Sequence, residues 1–387
     1  MPRRPRLRWA SIAALALALL LAAPLLAALP AAQRSWLALL VLLDIQAGDA
    51  PSLLKEQRAA PRLQAADFSR DGRHHLADRH LPADRPPRAT LVLLHGFTAE
   101  GRREPRLMRF ARTMARAGFA VLVPELDGLR SLAVGIEDAA DIGAALRHEL
   151  DARAGTDCRP VGVMALSFAV GPALIAALAP EVRERIDFVV AVGGYYDLDA
   201  AITYATTGFD PLSGRNGVPQ AAEGRWWLLQ SQAARLTDPA ERALLGELAR
   251  RHLAAPDPEV DDLLARLGSE GRALHALTAN TDPQQVATLI AALPAGIRTS
   301  LQELDLARRP FTGLRARLLL IHGSADPVIP VSHSRLLRER FGPERARLFV
   351  ANGLEHVDVA PRLADVWPLW QAVYELLRLT EQPVPDC

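Results

Sequence analysis

The segment VGVMALSFA at residues 161–169 decides the fold class, because it carries a serine directly from an apolar run into a predicted helix. Val161–Leu166 is a nearly continuous apolar run, as expected of a strand covered on both faces. Ser167 follows, and residues 168–178 continue as a helix of mostly small residues. On such a turn a serine hydroxyl projects above the sheet edge at a helix N-terminus, where backbone N–H groups bind an oxyanion. The segment therefore predicts a reactive serine at the edge of an α/β sheet.

The residues two positions before and after the serine are Ala165 and Ala169. A sharp strand-to-helix turn needs small residues there, and its familiar form is G-x-S-x-G. Alanine is small but carries a Cβ. A serine between a strand and a helix is also a common helix N-cap. Features elsewhere in the chain must therefore decide whether Ser167 is a reactive serine or only a helix N-cap.

Apolar strands and helical stripes alternate on both sides of this segment. A turn at residues 69–72 (SRDG) predicts a hairpin between extended pieces at 64–68 and 74–81. Further strands are predicted at 89–94, 119–123, 186–192, 316–321 and 347–351. Strands that alternate with helices predict an α/β fold, with a mostly parallel sheet and helices on both faces.

Residues 197–310 interrupt this alternation, because they contain no convincing strand pattern. Three of the four Asp-Pro pairs in this segment predict helix starts, since Asp caps orphan N–H groups and Pro lacks the N–H that would be orphaned. These three pairs are Asp238-Pro239, Asp257-Pro258 and Asp282-Pro283. We expect a helical cap at 197–310, inserted between core segments at 62–196 and 311–387.

The amino terminus has the pattern of a membrane segment. Arginines at positions 3, 4, 6 and 8 precede an uncharged apolar stretch at residues 9–32. This stretch exceeds the ~7–15 residues of a cleaved signal and suffices for a helix of ~20 residues that spans a membrane. We expect a signal anchor within residues 1–45 and a linker at 46–61. A second apolar run, at 36–43, is too short to span and is expected to extend the anchor or lie at the interface.

The charge asymmetry around this segment predicts its orientation. Arginines before a span stay cytoplasmic, which places the body on the extracytoplasmic side, the periplasm in a Gram-negative source. The pattern leaves two alternatives open. Cleavage of the segment would secrete the body instead, and the segment could also be a buried helix of a soluble body.

Composition excludes several classes of protein. The 387 residues are 50% hydrophobic and 23% charged, which excludes an intrinsically disordered chain. Lys+Arg is 45 and Asp+Glu is 44, so no basic excess recruits nucleic acid. Cys158 and Cys387 are the only cysteines and have no metal-type spacing, which excludes a disulfide framework and a CxxC redox or zinc site.

Three further motifs follow predicted strands. His95-Gly96-Phe97 ends the strand at 89–94, where an acyl-transfer enzyme needs a second oxyanion N–H. Asp326 lies on a turn after the strand at 316–321, and His356 lies in a loop after the strand at 347–351. Open α/β sheets place their sites at the carboxyl ends of strands. The order Ser167, Asp326, His356 is the one that hydrolases with this turn require.

The chain resembles the α/β-hydrolase superfamily, in particular esterases of the dienelactone-hydrolase and prolyl-oligopeptidase type. The resemblance rests on LVLLHGF (91–97), ALSFA (165–169), HGSADPVIP (322–330) and GLEHVD (353–358). It covers residues 62–380 apart from the insertion. It implies a Ser-His-Asp hydrolase without a metal or an organic cofactor. Dienelactone hydrolases proper have a cysteine where this chain has Ser167.

The roles of these residues follow from their chemistry. Ser167 is expected to attack a carbonyl carbon, and His356 to take its proton and later protonate the leaving group. Asp326 is expected to fix the imidazole tautomer. The backbone N–H groups of Phe97 and Phe168 are expected to hold the oxyanion.

Some other residues near the predicted site are alternative candidates for the acid or the base, and the rest are expected to be structural. Asp197 is the alternative acid, since some hydrolases place the acid after that strand. His333 is a weaker candidate for the base, because it lies close to Asp326 in sequence on a predicted helix. Tyr195 and Tyr196 either line the pocket or pack. Structural or loop positions are expected for His95, His322, Trp226, Trp227, Glu125 and Asp127.

The sequence thus predicts a membrane-anchored serine hydrolase that cuts a small-molecule or lipid-like carboxylic ester through an acyl-enzyme. A peptidase or amidase on the same triad is one alternative, because the nucleophile does not distinguish amide from ester. A non-catalytic binding protein on the same scaffold is another, since fold does not imply function.

Overall fold

The computed structural model describes residues 29–153, 158–217, 223–255, 257–355, 358–359 and 365–381. The predicted base, His356, lies outside these residues, as does the predicted membrane segment up to residue 28. Among the helices that the structure describes, none combines the length and the apolar character needed to cross a membrane.

A central sheet of eight strands organises the chain. The strands are β1 (Arg62–Arg70), β2 (Arg73–Leu81), β3 (Ala89–Leu93), β4 (Phe119–Pro124), β5 (Val161–Leu166), β6 (Phe188–Val192), β7 (Arg317–Gly323) and β8 (Ala346–Ala351). Their spatial order is β1-β2-β4-β3-β5-β6-β7-β8. The pairs β1/β2 and β2/β4 are antiparallel, and the remaining neighbours are parallel. The α/β fold with a mostly parallel sheet, predicted from the alternating pattern, is confirmed.

The predicted hairpin is formed by β1 and β2. Asp71 and Gly72 connect the strands with φ values of 51° and 76°. Two consecutive residues with positive φ give a turn whose twist matches that of the flanking strands. Asp-Gly suits it, because glycine has no steric penalty at positive φ.

Helices cover both faces of the sheet and fill the segment between β6 and β7. They are α1 (Pro30–Ala47), α2 (Leu53–Gln57), α3 (Pro105–Arg116), α4 (Asp127–Arg130), α5 (Ile136–Arg153), α6 (Val170–Ala177), α7 (Leu198–Thr207), α8 (Glu223–Ala233), α9 (Pro239–Ala254), α10 (Asp261–Leu264), α11 (Ser269–Ala279), α12 (Val286–Ala291), α13 (Ala295–Leu304), α14 (Val331–Phe341) and α15 (Val366–Leu379). One apolar core joins α1, α3 and α15 to the sheet. A second joins α5, α6, α14 and the helices between β6 and β7 to the opposite face.

The segment between β6 and β7 is built from helices α7–α13, with one two-residue strand pair at Phe209–Asp210 and Arg215–Asn216. One of the three Asp-Pro pairs starts a helix directly: the Asp238 side chain accepts a hydrogen bond from the N–H of Ala240 (2.8 Å), and α9 begins at Pro239. After the other two pairs the helices begin a few residues later, at Asp261 and Val286.

Helix α1 contains the second apolar run, at residues 36–43, which was expected to extend the anchor or lie at the interface, and it packs into the body. Ala38, Leu40 and Val41 are buried, although Trp36 and Leu43 are exposed. The indole N–H of Trp370 in α15 donates to the Ser35 carbonyl (3.0 Å). The expected boundary at residue 45 therefore falls inside a helix that covers one face of the sheet.

An ion pair with a buried carboxylate holds the carboxyl end of α1. The Asp44 carboxylate lies 3.2 Å from the ammonium of Lys55, the only lysine of the sequence. Asp44 also accepts hydrogen bonds from the hydroxyls of Thr113 (2.6 Å) and Ser52. A buried charge needs such partners. The predicted linker at 46–61 accordingly contains the short helix α2 and the buried Leu54.

Cys158 precedes β5 and is disulfide-bonded. Cys387, the only other cysteine of the sequence, lies outside the described residues.

Candidate active site

The structure places Ser167 on the turn between β5 and the following helix. Its φ of 56° lies in the left-handed region. This conformation costs a non-glycine residue of order 1–2 kcal/mol and persists only where the surroundings enforce it. Residues Ser167–Ala169 form one turn of 3₁₀ helix before α6 begins at Val170. Ala165 and Ala169 are fully buried, so their methyl groups fit where glycine is usual.

The two predicted oxyanion donors belong to neighbouring strands. Phe97 follows β3, Phe168 follows β5, and β3 pairs directly with β5. Their rings stack with centroids 5.3 Å apart. Neither backbone N–H donates a hydrogen bond to any residue that the structure describes. Two such donors beside a nucleophile are able to bind an oxyanion.

Asp326 is buried on the turn after β7. Its Oδ1 accepts hydrogen bonds from the backbone N–H groups of Val328 (2.8 Å) and Ile329 (3.0 Å). Its Oδ2 lies 3.5 Å from Nε2 of His322. These contacts fix the carboxylate at the same sheet edge as Ser167.

The loop that leads to His356 passes very close to β7. A Cβ added to Gly323 would lie 2.0 Å from the carbonyl oxygen of Leu354. Glycine is therefore required at the end of β7 for the backbone before His356 to approach Asp326. His356 itself lies outside the described residues, so its role stays a prediction.

The alternative acid and the alternative base both have structural roles in the structure. Asp197 caps α7, because its Oδ1 accepts a hydrogen bond from the N–H of Ala200 (2.9 Å). Nδ1 of His333 accepts from the N–H of Tyr196 (3.1 Å), and its ring is fully buried. Burial lowers the pKa of His333 to about 3. The imidazole therefore stays neutral, and its Nδ1 is already hydrogen-bonded to a backbone N–H group.

His95 and His322 tie loops together at the carboxyl edge of the sheet. Nε2 of His95 accepts from the N–H of Leu126 (3.2 Å), and burial lowers the pKa of this histidine. Nε2 of His322 lies 2.7 Å from the Ile329 carbonyl, which only accepts, so this nitrogen donates. Nδ1 of His322 then accepts from the Ser334 hydroxyl (2.7 Å).

The aromatic residues divide into packing and lining positions. The Tyr195 hydroxyl is buried and donates to the Leu304 carbonyl (3.0 Å), which joins β6 to α13. Burial raises the pKa of Tyr195 well above its ordinary value. Trp226 is buried and stacks on His252 with centroids 3.6 Å apart. Trp227 is 40% exposed and lines the cavity beside Ser167.

The two acidic residues after β4 do not act as a pair. Glu125 forms an ion pair with Arg102 at 2.6 Å, whereas Asp127 is largely exposed. Within the described ranges, no cluster of three or more His, Cys, Asp or Glu side chains could hold a metal ion.

A cavity of about 850 Å³ adjoins Ser167. It lies between the carboxyl ends of β5 and β6 and helices α1, α3 and α15, with Trp227 at its border. A smaller cavity of about 50 Å³ lies on the side of α7 and α8. Phe97, Phe168 and Trp227 line both cavities.

The residues of α1 are the part of this site that the sequence analysis missed. Leu42 and Ile45 line the larger cavity. One signal was present: Asp44 interrupts the apolar pattern beside them, and a charge there requires a buried partner in a folded body.

No protein-family model and no curated protein matches the sequence. Among solved structures, the chain is similar to the acylaminoacyl peptidase of Pyrococcus horikoshii, with 12% identity and a TM-score of 0.46, over 87% of this chain and 44% of that chain. It is similar to an esterase of Pyrococcus furiosus, with 14% identity and a TM-score of 0.45, over 83% of this chain and 92% of that chain. A dienelactone hydrolase of Anabaena variabilis has 16% identity and a TM-score of 0.42, over 82% of this chain and 98% of that chain. The chain spans less than half of the peptidase's length.

The chain's own topology supports the conclusion about its fold. Ser167 follows the fifth strand on a strand-to-helix turn with positive φ, and Asp326 follows the seventh. This is the order that the nucleophile-elbow architecture requires. The chain therefore has an α/β fold with a mostly parallel eight-stranded sheet, and Ser167 and Asp326 follow strands of that sheet in the predicted order.

Proposed function

We propose that this protein is a serine hydrolase that cleaves carboxylic esters through an acyl-enzyme at Ser167. The observation that carries the proposal is the left-handed conformation of Ser167 at the border of an apolar cavity. A strained backbone at a nucleophilic side chain is typical of a functional site, because packing must maintain it.

The proposed reaction has two half-reactions. The Oγ of Ser167 bonds to the ester carbonyl carbon while its proton passes to His356. The N–H groups of Phe97 and Phe168 bind the oxyanion, and His356 then gives its proton to the departing alcohol. Water, deprotonated by His356, cleaves the acyl-enzyme and restores Ser167.

Asp326 orients the base in this scheme. Its Oδ1 is held by two backbone N–H groups, which fixes the plane of the carboxylate. We assign its Oδ2 to the imidazole N–H of His356, which selects the tautomer that accepts the serine proton.

To test this, the purified full chain is assayed for hydrolysis of an ester and an amide that carry the same acyl group. We expect turnover of the ester, loss of turnover in Ser167→Ala, and wild-type turnover in Ser231→Ala, which removes another buried hydroxyl. Ester turnover that persists in Ser167→Ala would refute the assignment. Preference for the amide would make the protein a peptidase or amidase instead.

We infer that residues 9–32 anchor this hydrolase with its body outside the cytoplasm. The arginines before the stretch support that orientation. The disulfide at Cys158 supports an oxidising compartment, where such bonds persist. Leu29 and Trp36, exposed near the start of α1, suit a chain that emerges from a membrane.

Membrane fractionation tests the anchor. We expect the protein to remain in the membrane fraction after alkaline carbonate washing, with its body accessible to protease from the extracytoplasmic side. Recovery of a soluble chain that begins near Gln33 would mean that the segment is a cleaved signal.

A further inference from the structure

The cavity beside Ser167 extends away from the sheet edge into the body. Val190 of β6 and Met164 of β5 form its floor on one face of the sheet. Helices α1, α3 and α15 form its other walls, with Leu42, Phe110 and Ala372 among the lining residues. This face is the one covered by the core that includes α1. The cavity therefore opens to solvent on one side and extends between the sheet and the helices that cover this face.

Three of the charged lining residues come from the start of α3: Glu104, which caps the helix, and Arg106 and Arg109 in its first two turns. The Arg106 side chain is 64% exposed. Two other polar lining groups, Asp44 and Thr113, hydrogen bond to each other at 2.6 Å. The remaining wall toward α15 is apolar. A site of this kind favours an apolar ligand over a polar one.

The volume of the cavity indicates how long an acyl chain it can hold. A methylene group is about as large as a water molecule in the liquid, roughly 30 Å³, so an acyl chain of about sixteen carbons takes roughly 500 Å³. The cavity of about 850 Å³ accommodates such a chain. An acetyl group would leave most of the apolar wall without contacts, and such contacts are a main source of affinity.

We propose that the cavity is a long-chain acyl pocket, with helix α1 as its outer wall, and that Ser167 therefore acts on long-chain acyl esters. This substrate class rests on the proposed ester hydrolysis. The carbonyl carbon lies at Ser167, and the alkyl chain runs between Met164 and Ala372 along the inner side of α1.

Two adjacent leucines of α1 provide a matched test. Leu42 lines the cavity, whereas Leu43 is 41% exposed and does not line it. Leu42→Trp places an indole inside the pocket, and Leu43→Trp adds the same group to the outer surface. The measurement is kcat/KM of the full chain on acetyl, octanoyl and palmitoyl esters of one alcohol.

We expect wild-type protein and Leu43→Trp to prefer the palmitoyl ester. In Leu42→Trp the ratio of palmitoyl to acetyl kcat/KM should fall about tenfold or more, since a hydrophobic pocket discriminates roughly tenfold or more per misplaced methylene. An unchanged ratio in Leu42→Trp, or a wild-type preference for the acetyl ester, would overturn the pocket.

A direct binding measurement tests the pocket independently of catalysis. It also remains informative if the Leu42→Trp protein does not fold. Palmitate is titrated by calorimetry into the Ser167→Ala protein and into Ser167→Ala combined with Ala372→Leu, which narrows the opposite wall. We expect one palmitate per chain and weaker binding in the double variant. Palmitate binding with no esterase activity would retain the pocket and refute the proposed hydrolase. Esterase activity without palmitate binding would retain the hydrolase and refute the pocket.

Discussion

The rings of Phe97 and Phe168 stack with centroids 5.3 Å apart and planes 10° from parallel. The stack joins the loop after β3 to the turn after β5. It thereby fixes the relative position of the two backbone N–H groups assigned to the oxyanion. The Tyr195 ring lies 6.0 Å from Phe168 and supports the pair from β6.

Loss of this stack should impair catalysis more than binding. Phe97→Ala removes one ring but leaves the backbone N–H, whose position is then less restrained. Since a misplacement of about 1 Å costs about 10²-fold, we expect kcat on a short ester to fall about 10–100-fold. Phe97→Tyr keeps the ring and should stay near wild type in steady-state kinetics. Equal kcat in Phe97→Ala and wild type would remove the stack from the catalytic account.

Mutation should distinguish the two candidate acids, Asp326 and Asp197, by its effect on kcat. Asp326→Asn keeps the shape of the side chain but favours the wrong tautomer of the base, so we expect kcat to fall about 10⁴-fold. Asp197→Asn alters only the cap of α7, and its cost should be about 1 kcal/mol of stability or less. Steady-state kinetics and chemical unfolding of both variants provide the measurement. The reverse ranking in kcat would assign the acid to Asp197.

A methyl group at Gly323 should displace the loop before His356. The added Cβ would lie 2.0 Å from the Leu354 carbonyl oxygen, so that backbone must move. We expect Gly323→Ala to lower kcat about 10²-fold while the sheet remains folded. Gly143→Ala is the control, because its Cβ meets nothing within 4 Å inside α5, and alanine favours a helix. Wild-type kcat in Gly323→Ala would show that the close approach has no catalytic role.

Much of this arrangement could be predicted from the sequence. The strand Val161–Leu166 has the predicted bounds, because a buried parallel strand is recognisable as a short apolar run ending at a turn residue. The position of Ser167 and Asp326 at one edge of the sheet is equally predictable, because parallel strands end there together.

The role of α1 could not be predicted in this way. Residues 36–43 have the same apolar pattern whether they lie in a membrane or in a core. The contacts that decide between these, Trp370 to the Ser35 carbonyl and Thr113 to Asp44, join residues distant in sequence. The hydrogen bond from the Tyr196 N–H to His333 is equally invisible in a local pattern.

Asp138 should give the protein a specific dependence of stability on pH. Burial raises the pKa of this carboxyl group from 3.8 to about 6. Ionisation of Asp138 therefore costs more free energy in the folded state than in the unfolded state. The contribution of the neutral carboxyl group to stability is complete below pH 3.8 and is lost as the pH rises through about 6. Asp138→Asn keeps an acceptor for the Gly135 N–H but cannot ionise.

The free energies of unfolding of Asp138→Asn and wild type, measured by urea titration, should diverge with pH. We expect the difference to shift in favour of Asp138→Asn by about 1 kcal/mol between pH 5 and pH 8, from the linkage relation. A constant difference across this range would mean that Asp138 has an ordinary pKa.

The most direct test of the central claim is the covalent labelling of Ser167. Fluorophosphonates react with serines that a neighbouring base activates. The full chain should be labelled once, with the modification mapped by peptide mass spectrometry to the peptide that contains Ser167, and Ser167→Ala should remain unlabelled while keeping its circular dichroism spectrum. Equal labelling of both proteins, or a modification mapped to another serine, would contradict the assignment of Ser167 as the nucleophile.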